Sequence, residues 1–386
     1  MYIDIQRIEI DRKYTAIAKS PRGEEIRAML ESHPLIQPNL EKFWLTGEVY
    51  NKGTSIIGNL TSWYIWQEDL HGDVATNNIL NNYLSSHSVR TTFCVWVFGI
   101  KPTERFDIEG ISIVPIGEMP ESRERNEYLN LIARYESPAS YCAFTKEHDV
   151  PRVVECDKTA KKILRECINA TYVEICELAL LVNSLNDISC LPHWRCSSHN
   201  DLIPFGPWNN SGRSNVCFDI VGNHSRKFSQ AHGDELNYLY KNYKAMPSDK
   251  KIWLNTILDR IRKSKRQQSI ENKVLDLGIA AEMLLLRDQT ERDPISFPFR
   301  FRGSWLLGKD FSSRKRIHQT LKNFYGYRCT IAHDGAFKKE SDIRVVQKAL
   351  PELYDIVERI FKQAILTTYP ASSEEWLELI LGNKSC

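Results

Sequence analysis

Two residues near the end of the chain carry the plainest chemical potential: Arg328 and His333, in the segment SRKRIHQTLKNFYGYRCTIAHDG. A histidine takes or gives a proton near neutral pH. An arginine offers a permanent positive fork that suits a phosphate. One group that moves a proton and one that steadies charge on a phosphorane-like centre suffice for RNA cleavage by the neighbouring 2′-hydroxyl.

The surrounding residues must position that pair. Ile317, Leu321, Phe324 and Ile331 recur at helical spacing and mark an inward face, and Gly335 supplies a left-handed stop. His333 then falls in the last helical turn, where the dipole favours a cation. Five residues along an ideal helix amount to about 140° of rotation and ~7.5 Å of rise. One straight helix therefore does not aim both side chains at one atom. Either the helix distorts near Thr330 or a second copy completes the site across a twofold axis, and the expectation is the second.

Other groups bear on the same chemistry. Glu282 interrupts an apolar run and needs a partner if buried; Arg302 or Arg328 can supply it. Tyr325 and Tyr327 flank the pair and can stack on bases. RIRKSKR places Arg260, Arg262, Lys263, Lys265 and Arg266 together, and Arg314, Lys315 and Arg316 form a second basic cluster. Both clusters suit an RNA backbone, and both equally suit a solvated helix face. Cys190, His193, Cys196 and His199 recur every three residues, but the spacing matches no usual zinc finger, so no metal site is expected. His224 and His232 have no recognisable partner. Neither a phosphate-cradling loop nor a dinucleotide fingerprint occurs, and no cofactor is expected.

The rest of the chain frames these residues. It has 386 residues, enough for two domains, and 51 basic against 49 acidic residues give a net charge of +2. That balance excludes a globally basic nucleic-acid binder, so a basic surface must come from local clustering. No apolar run is long enough for a bilayer, and the alternating start MYIDIQRIEIDRKY lacks a signal-peptide core. Ten scattered cysteines without a CxxC pair read as buried thiols of a reducing compartment, so the expected location is the cytoplasm.

The expected fold class is α+β and multidomain: a β-rich N-terminal domain, then an all-α bundle. MYIDIQRIEI, KFWLTGEVY, TSIIGNLTSWYIW, RTTFCVWVFGI and DIEGISIVPIG read as strands, with short helices over Glu24 to Ser32 and Asn77 to Ser85. The expected divisions are a β-rich sensor or regulatory domain over 1–155, a long helix and irregular linker over 156–233, and a helical bundle over 234–386.

RCTIAH resembles the Arg-x4-His signature of HEPN domains, a helical ribonuclease family. LGIAAEMLLL, FRFRGSWLLG and KNFYGYRCTIAHDG together resemble the ApeA-like HEPN subgroup, over about 270–337. Glu282, Arg302, Leu306, Leu307, Tyr325, Arg328, His333 and Gly335 carry the resemblance in this order. Two positions depart from the pattern: Cys329 stands where a polar residue is common, and Asp334 separates the histidine from the glycine. The resemblance implies an all-α HEPN bundle that forms a homodimer with a composite site. It also implies metal-independent RNA cutting to 2′,3′-cyclic phosphate ends in antiphage defence or abortive infection. Arg328 and His333 would be catalytic, with Glu282, Arg302, Asp334 and Tyr325 in support. The expected partners are RNA, a second copy, and a phage-derived trigger or antitoxin at the N-terminal domain, without a membrane. The alternative is an inactive HEPN module that dimerises and binds RNA or protein.

Overall fold

The computed structural model describes residues 14, 16–46, 49–119, 142–185, 188, 190–198, 213–214, 226–289, 295–366 and 369–382. The chain combines an N-terminal β-sheet region with a C-terminal helical region. It divides into two compact units, and the chain passes between them more than once. The first comprises Met1–Val97, Gly110–Cys176 and Pro192–Cys217; the second comprises Phe98–Glu109, Glu177–Leu191 and Phe218–Cys386.

In the first unit, α1 (Pro21–Ser32) begins at Ser20, whose hydroxyl accepts from the Gly23 amide. Strands β1 (Phe43–Thr46) and β2 (Val49–Lys52) form an antiparallel pair. The segment TSIIGNLTSWYIW, expected as a strand, instead lies in the 19-residue helix α2 (Gly53–His71). The physical reason is spacing. Ile56, Ile57, Leu60, Trp63 and Tyr64 recur at helical intervals and are all buried, so tertiary burial overrides the β-propensity of their types. The helix α3 (Asp73–Ser85) follows and adds Leu80, Tyr83 and Leu84 to the same core.

A longer sheet also lies in this unit. β3 (Ser88–Phe98) pairs antiparallel with β7 (Cys142–Pro151), which pairs on its other side with β6 (Ile111–Pro115). Phe93 to Phe98 are buried without alternation, as in a strand covered on both faces. β8 (Val153–Val154) joins the small sheet against β1. Helices α4 (Asp157–Ile163) and α5 (Asn169–Leu181) are joined by one π-helical turn over Leu164–Ile168. Part of the segment expected as an irregular linker is strand: β9 (Leu191–Ser198) and β10 (Arg213–Ser214) pair with each other. The opening MYIDIQRIEI lies outside the described residues.

The second unit contains short strands β4 (Ile100–Pro102), β5 (Phe106–Ile108) and β11 (Arg226–Phe228), with β4 and β11 parallel. Phe106 and Phe228 meet edge to face at 5.2 Å. Among the described residues seven helices follow: α6 (Gln230–Lys244), α7 (Ser248–Arg266), α8 (Ile270–Leu285), α9 (Ser296–Leu307), α10 (Phe311–Asp334), α11 (Glu340–Leu366) and α12 (Ser373–Leu381). Leu258, Leu277, Ala281, Leu284, Phe299, Leu321, Phe324, Ile331, Val357 and Phe361 are buried in this unit. α12 starts on the Ser372 cap, whose hydroxyl accepts from the Glu375 amide. No helix among the described residues is long and apolar enough to cross a membrane.

Candidate active site

Arg328 and His333 both stand on α10, an unbroken 24-residue helix. Its start is fixed by a reciprocal cap: the Asp310 carboxylate accepts from the Ser313 amide at 2.8 Å, and the Ser313 hydroxyl accepts from the Asp310 amide at 3.1 Å. Its end is fixed by Gly335 at φ 79°, the left-handed conformation that glycine adopts without strain. The helix does not distort at Thr330. It stays α-helical there, and the Thr330 hydroxyl donates to the Gly326 carbonyl at 3.1 Å.

The buried stripe of α10 is Ile317, Leu321, Phe324 and Ile331. Arg328 occupies the gap in that stripe, four residues after Phe324, so its side chain turns inward against α8. There Gly278 and Glu282, one turn apart, form its seat. A Cβ at Gly278 would stand 2.8 Å from Cγ of Arg328, so only a glycine leaves room for the arginine stem. At the other end, Arg328 Nη2 donates to Glu282 Oε2 at 3.0 Å. This pair is a single contact, not a fork on a fork. Glu282 Oε1 and Arg328 Nε are both buried and take no hydrogen bond among the described residues. Burial pushes the Glu282 carboxyl above the ordinary range, and the adjacent guanidinium only partly offsets this.

His333 is exposed in the last turn, about 140° around the helix from Arg328 by ideal geometry. Within one chain the two side chains therefore face different ways. Asp334, the last helical residue, pairs with Lys338 at 3.0 Å. Tyr325 lies beside Arg328, its ring 5.4 Å from that of Phe299. Burial, then interaction with Cys329, pushes its phenol up to about 12, so it stays protonated at neutral pH. Tyr327 is half-buried, edge to face with Phe337 at 6.3 Å.

Arg302 stands apart from this seat. It is buried and grips Asp288 with two nitrogens, at 2.5 and 2.9 Å, while also donating to the Leu285 carbonyl at 2.8 Å. Its guanidinium lies 5.0 Å from the Trp376 ring. Burial alone would raise the Asp288 carboxyl, but hydrogen bonds from Arg302 and Ser373 outweigh it and hold the group low. Arg302 thus ties α8, α9 and α12 together. Of the two arginines that can answer Glu282, Arg328 is the one that does.

The basic run on α7 is largely spent on the protein itself. Arg260 pairs with Asp276 at 3.0 Å; Arg262 and Lys263 share Asp259 at 2.5 and 2.9 Å. Lys265 is largely withdrawn from the surface. Its ammonium pairs with buried Glu358 at 2.7 Å and donates to the carbonyls of Asn183, Leu185 and Ile188. It cannot meet RNA from there. Arg266 is half-buried. In the second cluster, Arg314 lies 3.7 Å over the Trp305 ring and donates to the Gly308 carbonyl. Lys315 and Arg316 are exposed, Arg316 with Glu352 4.0 Å away.

Two cations outside those clusters, Lys322 and Arg300, act on His318. Lys322 is exposed on α10, and Lys315, Lys322, Gly326 and His333 fall on nearly one line of the helix. Arg300 on α9 carries a buried Nε without a hydrogen bond among the described residues. Burial, followed by the charges of Arg300 and Lys322, lowers the His318 imidazole, so the two cations stand near it. Helical spacing from His333 marks Lys322; Arg300 has no signal in the sequence.

Among the described residues, no group of three or more His, Cys, Asp or Glu side chains gathers as a metal site. Of the four regularly spaced candidates, Cys190 is buried, with its amide on the Asn183 side chain at 2.9 Å. The side chains of His193 and Cys196, and the whole of His199, lie outside what is described, as does His224. His232 caps α6, its ring accepting from the Ser229 amide at 3.1 Å.

No protein-family model, no curated protein and no solved structure matches the chain.

Proposed function

We propose that the second unit is a HEPN-type ribonuclease, cutting RNA without a metal at a site built from Arg328 and His333. The observation that carries this reading is the seat of Arg328. A charged side chain occupies an apolar stripe, with a glycine slot for its stem and a carboxylate that holds it while leaving nitrogens unused. Arg302, which only ties helices together, donates three hydrogen bonds to Asp288 and Leu285, whereas Arg328 donates one, to Glu282. Arg328 keeps donors for a phosphate oxygen.

Cleavage would run by attack of the 2′-oxygen on the adjacent phosphorus. The new O2′–P bond forms as the P–O5′ bond breaks, leaving a 2′,3′-cyclic phosphate and a 5′-hydroxyl. The 2′-hydroxyl proton leaves and the departing O5′ gains one; His333 serves one of these transfers and Arg328 steadies the charge on the phosphoryl oxygens. Because the two side chains point apart on one helix, the working pair is His333 of one copy with Arg328 of another. The exposed line of Lys315, Lys322 and His333 extends about 27 Å along α10, by a rise of 1.5 Å per residue, and would track the RNA backbone. The setting expected of such an enzyme is antiphage defence in the cytoplasm, with the first unit as the sensor or restraint.

The opposing separation of the two side chains equally suits an inactive HEPN module that dimerises and binds RNA. Incubation of the full chain with RNA in EDTA separates the readings. The nuclease reading predicts cyclic-phosphate ends that disappear in Arg328→Ala and His333→Ala. RNA that stays intact while remaining bound supports the inactive module.

A further inference from the structure

The first unit contains a buried arginine without a counter-ion. Arg152, between β7 and β8, is 8% exposed, yet no carboxylate lies within ion-pair distance among the described residues. Its neighbours are carbonyls and rings. Nε donates to Ser86 O at 3.1 Å and Nη2 to Leu84 O at 2.8 Å. The guanidinium lies 4.8 Å from the Trp44 ring and 5.5 Å from that of Tyr83. Nη1 is buried and makes no hydrogen bond among the described residues. A buried cation normally meets a paired anion, because desolvation of an uncompensated charge is costly. Here burial pulls the guanidinium below the ordinary arginine value, with only the Tyr83 phenol opposing it.

The same arginine lines a pocket of about 420 Å³, within the range of small-molecule sites. Its polar lining includes Arg152, Lys42, Asn39 and Ser85, and its apolar lining includes Leu84 and Val153. The acid at its rim, Glu155, is exposed and engaged with Lys42 at 2.8 Å. Backbone bonds fix the setting: the Arg152 amide donates to His87 O at 3.0 Å, and its carbonyl accepts from the Leu45 amide at 2.9 Å.

We propose that this pocket binds a small organic anion, with its phosphate or carboxylate head on Arg152 and its apolar body against Leu84 and Val153. The anion would supply the charge that the fold leaves out, meeting the Nη1 and Nη2 edge in the forked geometry that oxyanions favour. The inference does not depend on the ribonuclease reading.

Titration calorimetry on the full chain tests it with phenyl phosphate, benzoate and benzyl alcohol. Saturable binding of phenyl phosphate or benzoate is expected, with benzyl alcohol not binding. The tighter of the two anions assigns the head group. Ser85→Trp fills the pocket from the exposed end of α3 without removing an Arg152 contact. It should weaken binding by about tenfold or more, the scale of a lost charge-assisted contact, while leaving the ligand-free melting temperature in place. Arg152→Lys keeps the charge, loses the fork, and should weaken binding too. Equal binding of benzyl alcohol, unchanged affinity in Ser85→Trp, or no binding of either anion would overturn the proposal.

Discussion

Gly278 and Arg328 are in such close contact that a methyl group at position 278 would stand 2.8 Å from the arginine Cγ. The glycine is on α8 and the arginine on α10, so one missing side chain sets where a guanidinium lies. Glu282, a turn further along α8, then fixes its end. The position of the candidate catalytic cation is thus decided by α8, a helix that presents no reacting group of its own.

Gly278→Ala tests that dependence. Overpacking costs about 1–3 kcal/mol, whereas alanine in place of glycine returns about 1 kcal/mol of helix propensity. Stability should therefore fall only slightly, while RNA cleavage falls much further because Arg328 is displaced. Thermal melts and single-turnover cleavage on the same samples check this. Parallel losses in the two would show that the arginine's placement is not critical.

Glu282→Gln separates charge from shape. Burial raises the wild-type carboxyl above its unfolded value. A raised carboxyl contributes stability that is present at low pH and lost as pH rises through the folded-state pKa. The wild type should accordingly lose stability relative to Glu282→Gln as pH climbs out of the acid range. Melting both proteins across pH 4 to 8, a window about the carboxylate range, measures it. The opposite slope would mean that attraction to Arg328 outweighs burial.

Lys322→Glu and Lys315→Glu probe the basic line of α10. Both side chains are exposed, so stability should change by less than about 0.5 kcal/mol. RNA affinity should drop, and each loss of a phosphate contact should reduce the salt dependence of binding by about one unit of slope. Lys265→Met, by contrast, should act on stability alone, since that ammonium is buried on Glu358. An unchanged salt slope in both α10 variants would remove this face from the RNA path.

The sequence reads well where pattern and chemistry agree. The helices of the second unit follow apolar spacing, and β3 follows its β-branched and aromatic run. It misleads where type and spacing conflict, as in TSIIGNLTSWYIW, whose residues favour strand while their burial follows a helical period. The inward turn of Arg328 was legible from the stripe of Ile317, Leu321, Phe324 and Ile331, whose missing member it is. Its pairing with Glu282 was legible only as one of two choices, because Asp288, the residue that takes Arg302, carries no pattern of its own. A run of charges shows even less. Lys263 and Lys265 look alike in RIRKSKR, yet one is exposed and the other is buried among carbonyls. Arg152 left no mark in the sequence, since the want of a counter-ion exists only in three dimensions.

In the proposed ribonuclease, Arg328 and His333 act together from different copies. Mixing separately inactive Arg328→Ala and His333→Ala proteins, after unfolding and joint refolding, tests it directly. A mixed dimer holds one site with both residues intact, and random pairing makes half the dimers mixed, so about a quarter of wild-type cleavage should return. A mixture as inactive as either variant alone would contradict a site shared between copies.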